Sequence, residues 1–135
     1  MLNLNTEANN PKLLSPLTLA FLGDAVYELC VRQRIVGEGN MPVNNMHKKT
    51  VSIVKAEAQS AAVERIAEQL TEEELAIYKR GRNASTTSSP KHADLADYRR
   101  ATGLEALFGY LYLKGEIGRI NEIFDLANMT TESQE

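Results

Sequence analysis

Apolar residues recur at helical spacing along nearly the whole chain, and no run alternates with a period of two over strand length, so the pattern predicts an all-α fold. Ser15 followed by Pro16 marks a helix start, because the hydroxyl caps free amides and proline at the first position gives up an amide that had no partner. That helix is expected to reach Val36, where Gly37 and Gly39 stop it, with Gly37 placed to take the left-handed conformation. From Val43 to Leu70 the spacing of Val43, Met46, Val51, Val54, Ala58, Ala62 and Ile66 fits one long helix or two. Thr71 and Glu74 form a capping box that opens a further helix ending near Arg82. Asn83 to Pro90 is small, polar and turn-forming, which predicts a flexible loop. Helix resumes by about Ala93 and runs to Lys114; Gly115 and Gly118 then loosen the chain before an amphipathic helix carrying Ile120, Ile123, Phe124 and Leu126. The expected organisation is a mobile arm over residues 1–12, one domain over 13–128 and a frayed tail over 129–135.

Three acids break this pattern. Asp24 and Glu28 interrupt LAFLGDAVYEL (Leu19 to Leu29), which otherwise reads as buried helix, and Glu105 is the only charge between Arg100 and Lys114. An isolated carboxylate in an apolar interior costs several kcal/mol, so two brought together must protonate, pair with a cation or hold a metal. Carboxylates without a neighbouring His or Cys favour Mg²⁺, or Mn²⁺ in its place, over zinc. Gly23 and Gly109 sit mid-helix, where glycine costs roughly 1 kcal/mol relative to alanine. Either each fits a crowded core, or the two helices cross there and bring Asp24 to Glu105. Glu28, one turn beyond Asp24 on the same face, is a supporting candidate or a group at the edge of solvent.

With 135 residues, 43% hydrophobic and 24% charged, the chain has material for one core. The single cysteine, Cys30, excludes an intramolecular disulfide and fits a reducing compartment. The N-terminus lacks a basic region followed by an apolar one, and Pro16, Asp24 and Glu28 break the longest apolar run, so a soluble, cytoplasmic protein without a membrane span is expected. A net charge of -3 excludes a uniformly basic surface, yet residues 79–100 hold six Lys or Arg against two acids. Lys79, Arg80, Arg82, Asn83, Arg99 and Arg100 are candidates for binding the phosphates of a nucleic acid, since arginine forks match phosphate oxygens. His47, in a run with Lys48 and Lys49, and His92 lack the partner spacing of a zinc site or a Ser/His/Asp system.

FLGDAV (Phe21 to Val26) and EALFGYLYL (Glu105 to Leu113) resemble the two signatures of the ribonuclease III endonuclease domain, a helical bundle. KRGRNA (Lys79 to Ala84) and YRRATGLEALFGYLYL (Tyr98 to Leu113) are similar to its short bacterial branch, which consists of the catalytic domain alone. The resemblance covers about Leu17 to Leu126. It implies a homodimeric nuclease that cuts double-stranded RNA with Mg²⁺ to leave 5′-phosphate and 3′-hydroxyl ends, and places metal ligation on Asp24 and Glu105. The implied substrate is the precursor of large-subunit (23S) ribosomal RNA, with a ribosomal protein as a further candidate partner. Leu17, Ala20 and Thr102 stand where longer relatives carry additional acids, which leaves the number of metal ions open. The competing reading is a non-catalytic, ribosome-associated RNA-binding protein of the same fold. Against it stand both signature acids, which a purely structural descendant would be free to replace with apolar residues.

Overall fold

The computed structural model describes residues 10–84 and 94–129. Six α-helices account for most of them: α1 (Pro16–Val36), α2 (Val43–Val54), α3 (Ala56–Ile66), α4 (Glu72–Ala84), α5 (Leu95–Leu113) and α6 (Ile117–Ala127). Short 3₁₀ turns at Pro11–Leu13 and Ala67–Gln69 complete the regular structure, and no strand forms among the described residues. The all-α expectation therefore holds.

The caps form as the sequence indicates. Ser15 Oγ accepts from the amides of Leu17 and Thr18 at 3.2 and 3.3 Å. In the capping box, Thr71 N–H donates to Glu74 Oε1 at 2.9 Å while Glu74 N–H donates to Thr71 Oγ1 at 3.1 Å. Glu74 is buried, and the Arg119 guanidinium of α6 answers it through two donors, at 2.8 Å to Oε2 and 2.7 Å to Oε1. One carboxylate thus fixes both the start of α4 and the seat of α6.

The core is built around α5. Ten of its residues, from Ala101 to Leu111 with only Glu105 omitted, are buried, as expected for a helix that is apolar on all sides. Helices α1, α3, α4 and α6 all pack on it. Where α1 crosses it, a Cβ on Gly23 would lie 1.6 Å from the carbonyl oxygen of Glu105, and one on Gly109 would lie 2.1 Å from that of Leu19. The backbones themselves touch, so no side chain fits between them. Tyr27 continues the seam, edge-on to Phe108 at 4.9 Å and to Phe124 at 5.3 Å, with its hydroxyl accepting from Asn128 at 3.1 Å.

Several local expectations change. The 43–70 segment is two α-helices, broken at Lys55, whose extended backbone (ψ 154°) ends α2 and precedes α3. Gly37 stays right-handed (φ -64°), and Gly39 takes the positive φ (102°) instead, because the turn tightens two residues later than the glycine spacing suggests. Helix α4 continues past Arg82 to Ala84, and α5 starts at Leu95, capped by Asp94. Gly118 lies inside α6, leaving Gly115 (φ 75°) to make the turn. Residues 10–12, placed in the arm, contribute to the first 3₁₀ turn; residues 1–9, residues 85–93, which include the 85–90 part of the expected loop, and residues 130–135 lie outside the described residues.

Gly23→Ala forces α1 and α5 apart along their shared seam. It is expected to cost about 3 kcal/mol or more, at the upper end for over-packed cores, and urea unfolding measures it.

Candidate active site

The glycine crossing sets the geometry of the acids. Asp24 follows Gly23 on α1, whose missing side chain brings α1 against the backbone of Glu105 itself, so the two carboxylates meet. Glu105 is largely withdrawn from water, and its carboxyl is pushed up to about 8. Burial is the main cause; the negative charge of Asp24 and a side-chain hydrogen bond shared with it add to the rise, while a hydrogen bond from Gln59 opposes it.

Asp24 itself is exposed, which corrects the reading of its segment as wholly buried. Helix α1 buries Leu19, Gly23, Val26 and Tyr27, but a second apolar stripe faces outward, with Phe21 84% exposed, Leu29 51% and Leu17 40%. Asp24 lies between these residues. Glu28, one turn on, is held by Arg32 Nε at 2.9 Å, an exposed i,i+4 pair.

The donor set decides whether an ion fits. Among the described residues no group of three or more His, Cys, Asp or Glu side chains is placed to hold a metal. Two carboxylates suit Mg²⁺, which keeps several waters and is bound through one or two carboxylates plus substrate phosphates, whereas they fall short of a closed zinc site. Among the described residues no cationic side chain is paired with either carboxylate; Glu105 is hydrogen-bonded to Gln59 and Asp24.

The basic residues fall into two groups. Arg82, Asn83, Ala96, Arg99 and Arg100 line a cleft of about 380 Å³ between the end of α4 and the start of α5. Arg82 lies over the Tyr78 ring at 5.8 Å and donates from Nε to Asn83 Oδ1 at 3.2 Å. Arg100 donates to Ser60 Oγ on α3 at 3.1 Å, and its Nη1 lies 3.8 Å from Glu64. Lys79 is exposed and lies three residues before Arg82, on the same side of α4. Arg80 turns the other way, its two terminal nitrogens each donating at 3.4 Å, to the carbonyls of Lys12 and Leu14. It ties the N-terminal turn to α4.

One residue beside the carboxylates escaped the sequence reading. Gln59 of α3 is 1% exposed and donates from Nε2 to Glu105 Oε2 at 3.3 Å and to the Val54 carbonyl at 2.9 Å. Its signal was present: Gln59 sits at an apolar-stripe position, three, four and seven residues before the buried Ala62, Val63 and Ile66.

The ribonuclease III domain model matches residues 17–116, a span that contains both carboxylates and the whole α1–α5 crossing. The chain belongs to the ribonuclease III family. It is a ribonuclease III-type endoribonuclease acting on double-stranded RNA. Similar relatives include the mini-ribonuclease 3 of Thermoanaerobacter sp. (strain X514), 52% identical over 88% of this chain and 84% of the relative. The mini-ribonuclease 3 of Staphylococcus aureus (strain NCTC 8325 / PS 47) is 38% identical over 92% of this chain and 97% of its own. A crystal structure of a Fusobacterium nucleatum protein superposes with a TM-score of 0.81 at 32% identity, covering 89% of this chain and 98% of that one.

The folded-state proton affinity of Glu105 carries a stability signature in this ribonuclease III domain. A carboxyl raised from 4.5 to about 8 on folding contributes stability that is fully present below about pH 4.5 and lost as the pH rises through 8. Glu105→Gln, neutral throughout, is therefore expected to melt several degrees above wild type at pH 8.5 in EDTA. The gap should close towards pH 4.5, and thermal scans across that window measure it.

Proposed function

We propose that the domain is a Mg²⁺-dependent, homodimeric enzyme of the cytoplasm that matures the precursor of large-subunit (23S) ribosomal RNA. The observation that carries the metal part is the buried Glu105 carboxyl forced against Asp24 with no cationic side chain paired to it among the described residues. Asp24 and Glu105 would hold the ion. When bound, Mg²⁺ supplies activation of water and neutralisation of charge on the phosphate under attack.

The chain's own groups do the rest. Glu105, whose carboxyl burial pushes up to about 8, would be one of the two groups that hold the ion and would release its proton on doing so. Arg82, Arg99 and Arg100 present their donors at the cleft between α4 and α5, where backbone phosphates of a duplex would be met by fork-shaped donors. A-form RNA has a deep, narrow major groove that side chains do not read, so such phosphate and 2′-hydroxyl contacts suit recognition by duplex shape. Asn83, beside Arg82, supplies a neutral donor and acceptor at the same rim. Lys79 adds charge along the same side of α4, whereas Arg80 is engaged with the N-terminal turn. A ribosomal protein that presents the precursor fits this scheme as a further partner, because one small domain offers few contacts for choosing a single site in a long RNA.

The outward stripe of α1 supports the dimer. Leu17, Phe21 and Leu29 leave an exposed apolar stripe that a two-fold related copy would bury against itself. Asp24 borders that surface, so two subunits would carry two sites close to their shared seam, one for each strand of a duplex.

Asp24→Asn is expected to lower cleavage of duplex RNA in Mg²⁺ by more than about 100-fold, beyond the loss usual for a group that only supports a ligand, while duplex binding persists. Equal cleavage by both proteins would overturn the assignment. Phe21→Glu places a charge on the stripe and should convert the dimer to a folded monomer in sedimentation equilibrium; an unchanged mass would move the interface elsewhere.

A further inference from the structure

We infer that Gln59 is a positioning residue for the carboxylate pair: its buried side-chain amide holds Glu105 in the orientation that joint ligation of a cation with Asp24 requires. The inference rests on the metal reading of that pair.

The geometry is specific. The Gln59 amide is fixed at one end by the Val54 carbonyl, which belongs to the last residue of α2 and is freed by the break at Lys55. From that anchor it reaches Glu105 Oε2 across the α3–α5 contact. Exchanging its oxygen and nitrogen would set an oxygen against two acceptors, so the donor orientation is dictated by its neighbours. Because the amide is held by backbone, it does not follow Glu105 when the carboxylate turns; it confines Glu105 instead.

Packing alone does not explain an amide there. The side chain is 1% exposed, and its Oε1 is buried without a hydrogen-bond partner among the described residues, which costs stability that a leucine of similar volume would avoid. The positions three and four residues on, Ala62 and Val63, are apolar, as the stripe demands. What the amide adds, and a leucine would lack, is a donor at the Glu105 carboxylate. That donor is aimed at Oε2, one of the two oxygens with which Glu105 would meet a cation. The next residue, Ser60, accepts from Arg100 at the arginine cleft, so consecutive residues of α3 reach both the acids and the phosphate-facing side chains.

The test is Mn²⁺ binding followed by electron paramagnetic resonance on the full chain with a 2′-O-methyl duplex RNA, for wild type and Gln59→Leu. The leucine variant is expected to need about tenfold more Mn²⁺ for half-saturation, the usual loss when a ligand's supporting hydrogen bond is removed. Its duplex affinity in EDTA should be unchanged, its melting temperature equal or higher, and its cleavage rate restored by excess Mg²⁺. A merely structural role would lower the melting temperature and leave the ion requirement alone. If Gln59→Leu fails to fold, Gln59→Met carries the same expectation with an unbranched chain. Equal Mn²⁺ affinity in variant and wild type overturns the role of Gln59 while the metal site stands. Absence of Mn²⁺ binding in wild type itself overturns both.

Discussion

The contact on which the structure depends is the one between two backbones. At Gly23 and Gly109 helices α1 and α5 approach until no β-carbon fits between them, and other packing is arranged around that seam. The approach fixes the register of the two helices, because another register would put a side chain where each missing β-carbon now leaves space for a carbonyl. Asp24 and Glu105 are then brought together by helix geometry, each adjacent to or in contact with the seam. A second tight approach, with Gly103 against the Tyr78 ring and Gly81 against Ala106, sets α4 on α5 and so places Arg82 beside Arg99 and Arg100.

Electrostatics and packing pull in opposite directions at this seam. Tight packing withdraws Glu105 from water next to another carboxylate, which destabilises its ionised form. The exposure of Asp24 keeps one side of the pair open, so a cation and a phosphate would have a route to both acids. The arginine cleft lies towards the N-terminal end of the same α5, beyond Gln59 and Ser60 of α3. The candidate phosphate-binding residues Arg99 and Arg100 and the candidate ligand Glu105 thus share one helix, an arrangement suited to holding a phosphate against an ion.

Much of this was legible in the residues, and the parts that were not have physical reasons. Mid-helix glycines beside lone acids signalled a close crossing, since both are costly without one, and the capping residues Ser15, Thr71 and Glu74 marked helix starts by their hydrogen bonds. The outward stripe of α1 was invisible because apolar periodicity cannot distinguish a face buried in the core from one left uncovered. Arg80 counted as one of several interchangeable basic residues until the fold brought Lys12 and Leu14 to it. Gln59 was passed over for a related reason: its worth comes from a carboxylate far away in sequence on another helix. The break at Lys55 rests on one extended residue, which periodicity on either side does not reveal.

The seam also bears on how the chain comes to be folded. Its two halves, Leu19 to Gly23 and Glu105 to Gly109, stand more than half the chain apart, and the central helix is the fifth of the six among the described residues. During synthesis α1, α3 and α4 emerge without the surface they pack on, and their apolar faces wait for α5. Contacts of such long range are slow to close, so the nascent chain passes through a stage with its future core open to water, and the commitment to fold comes late.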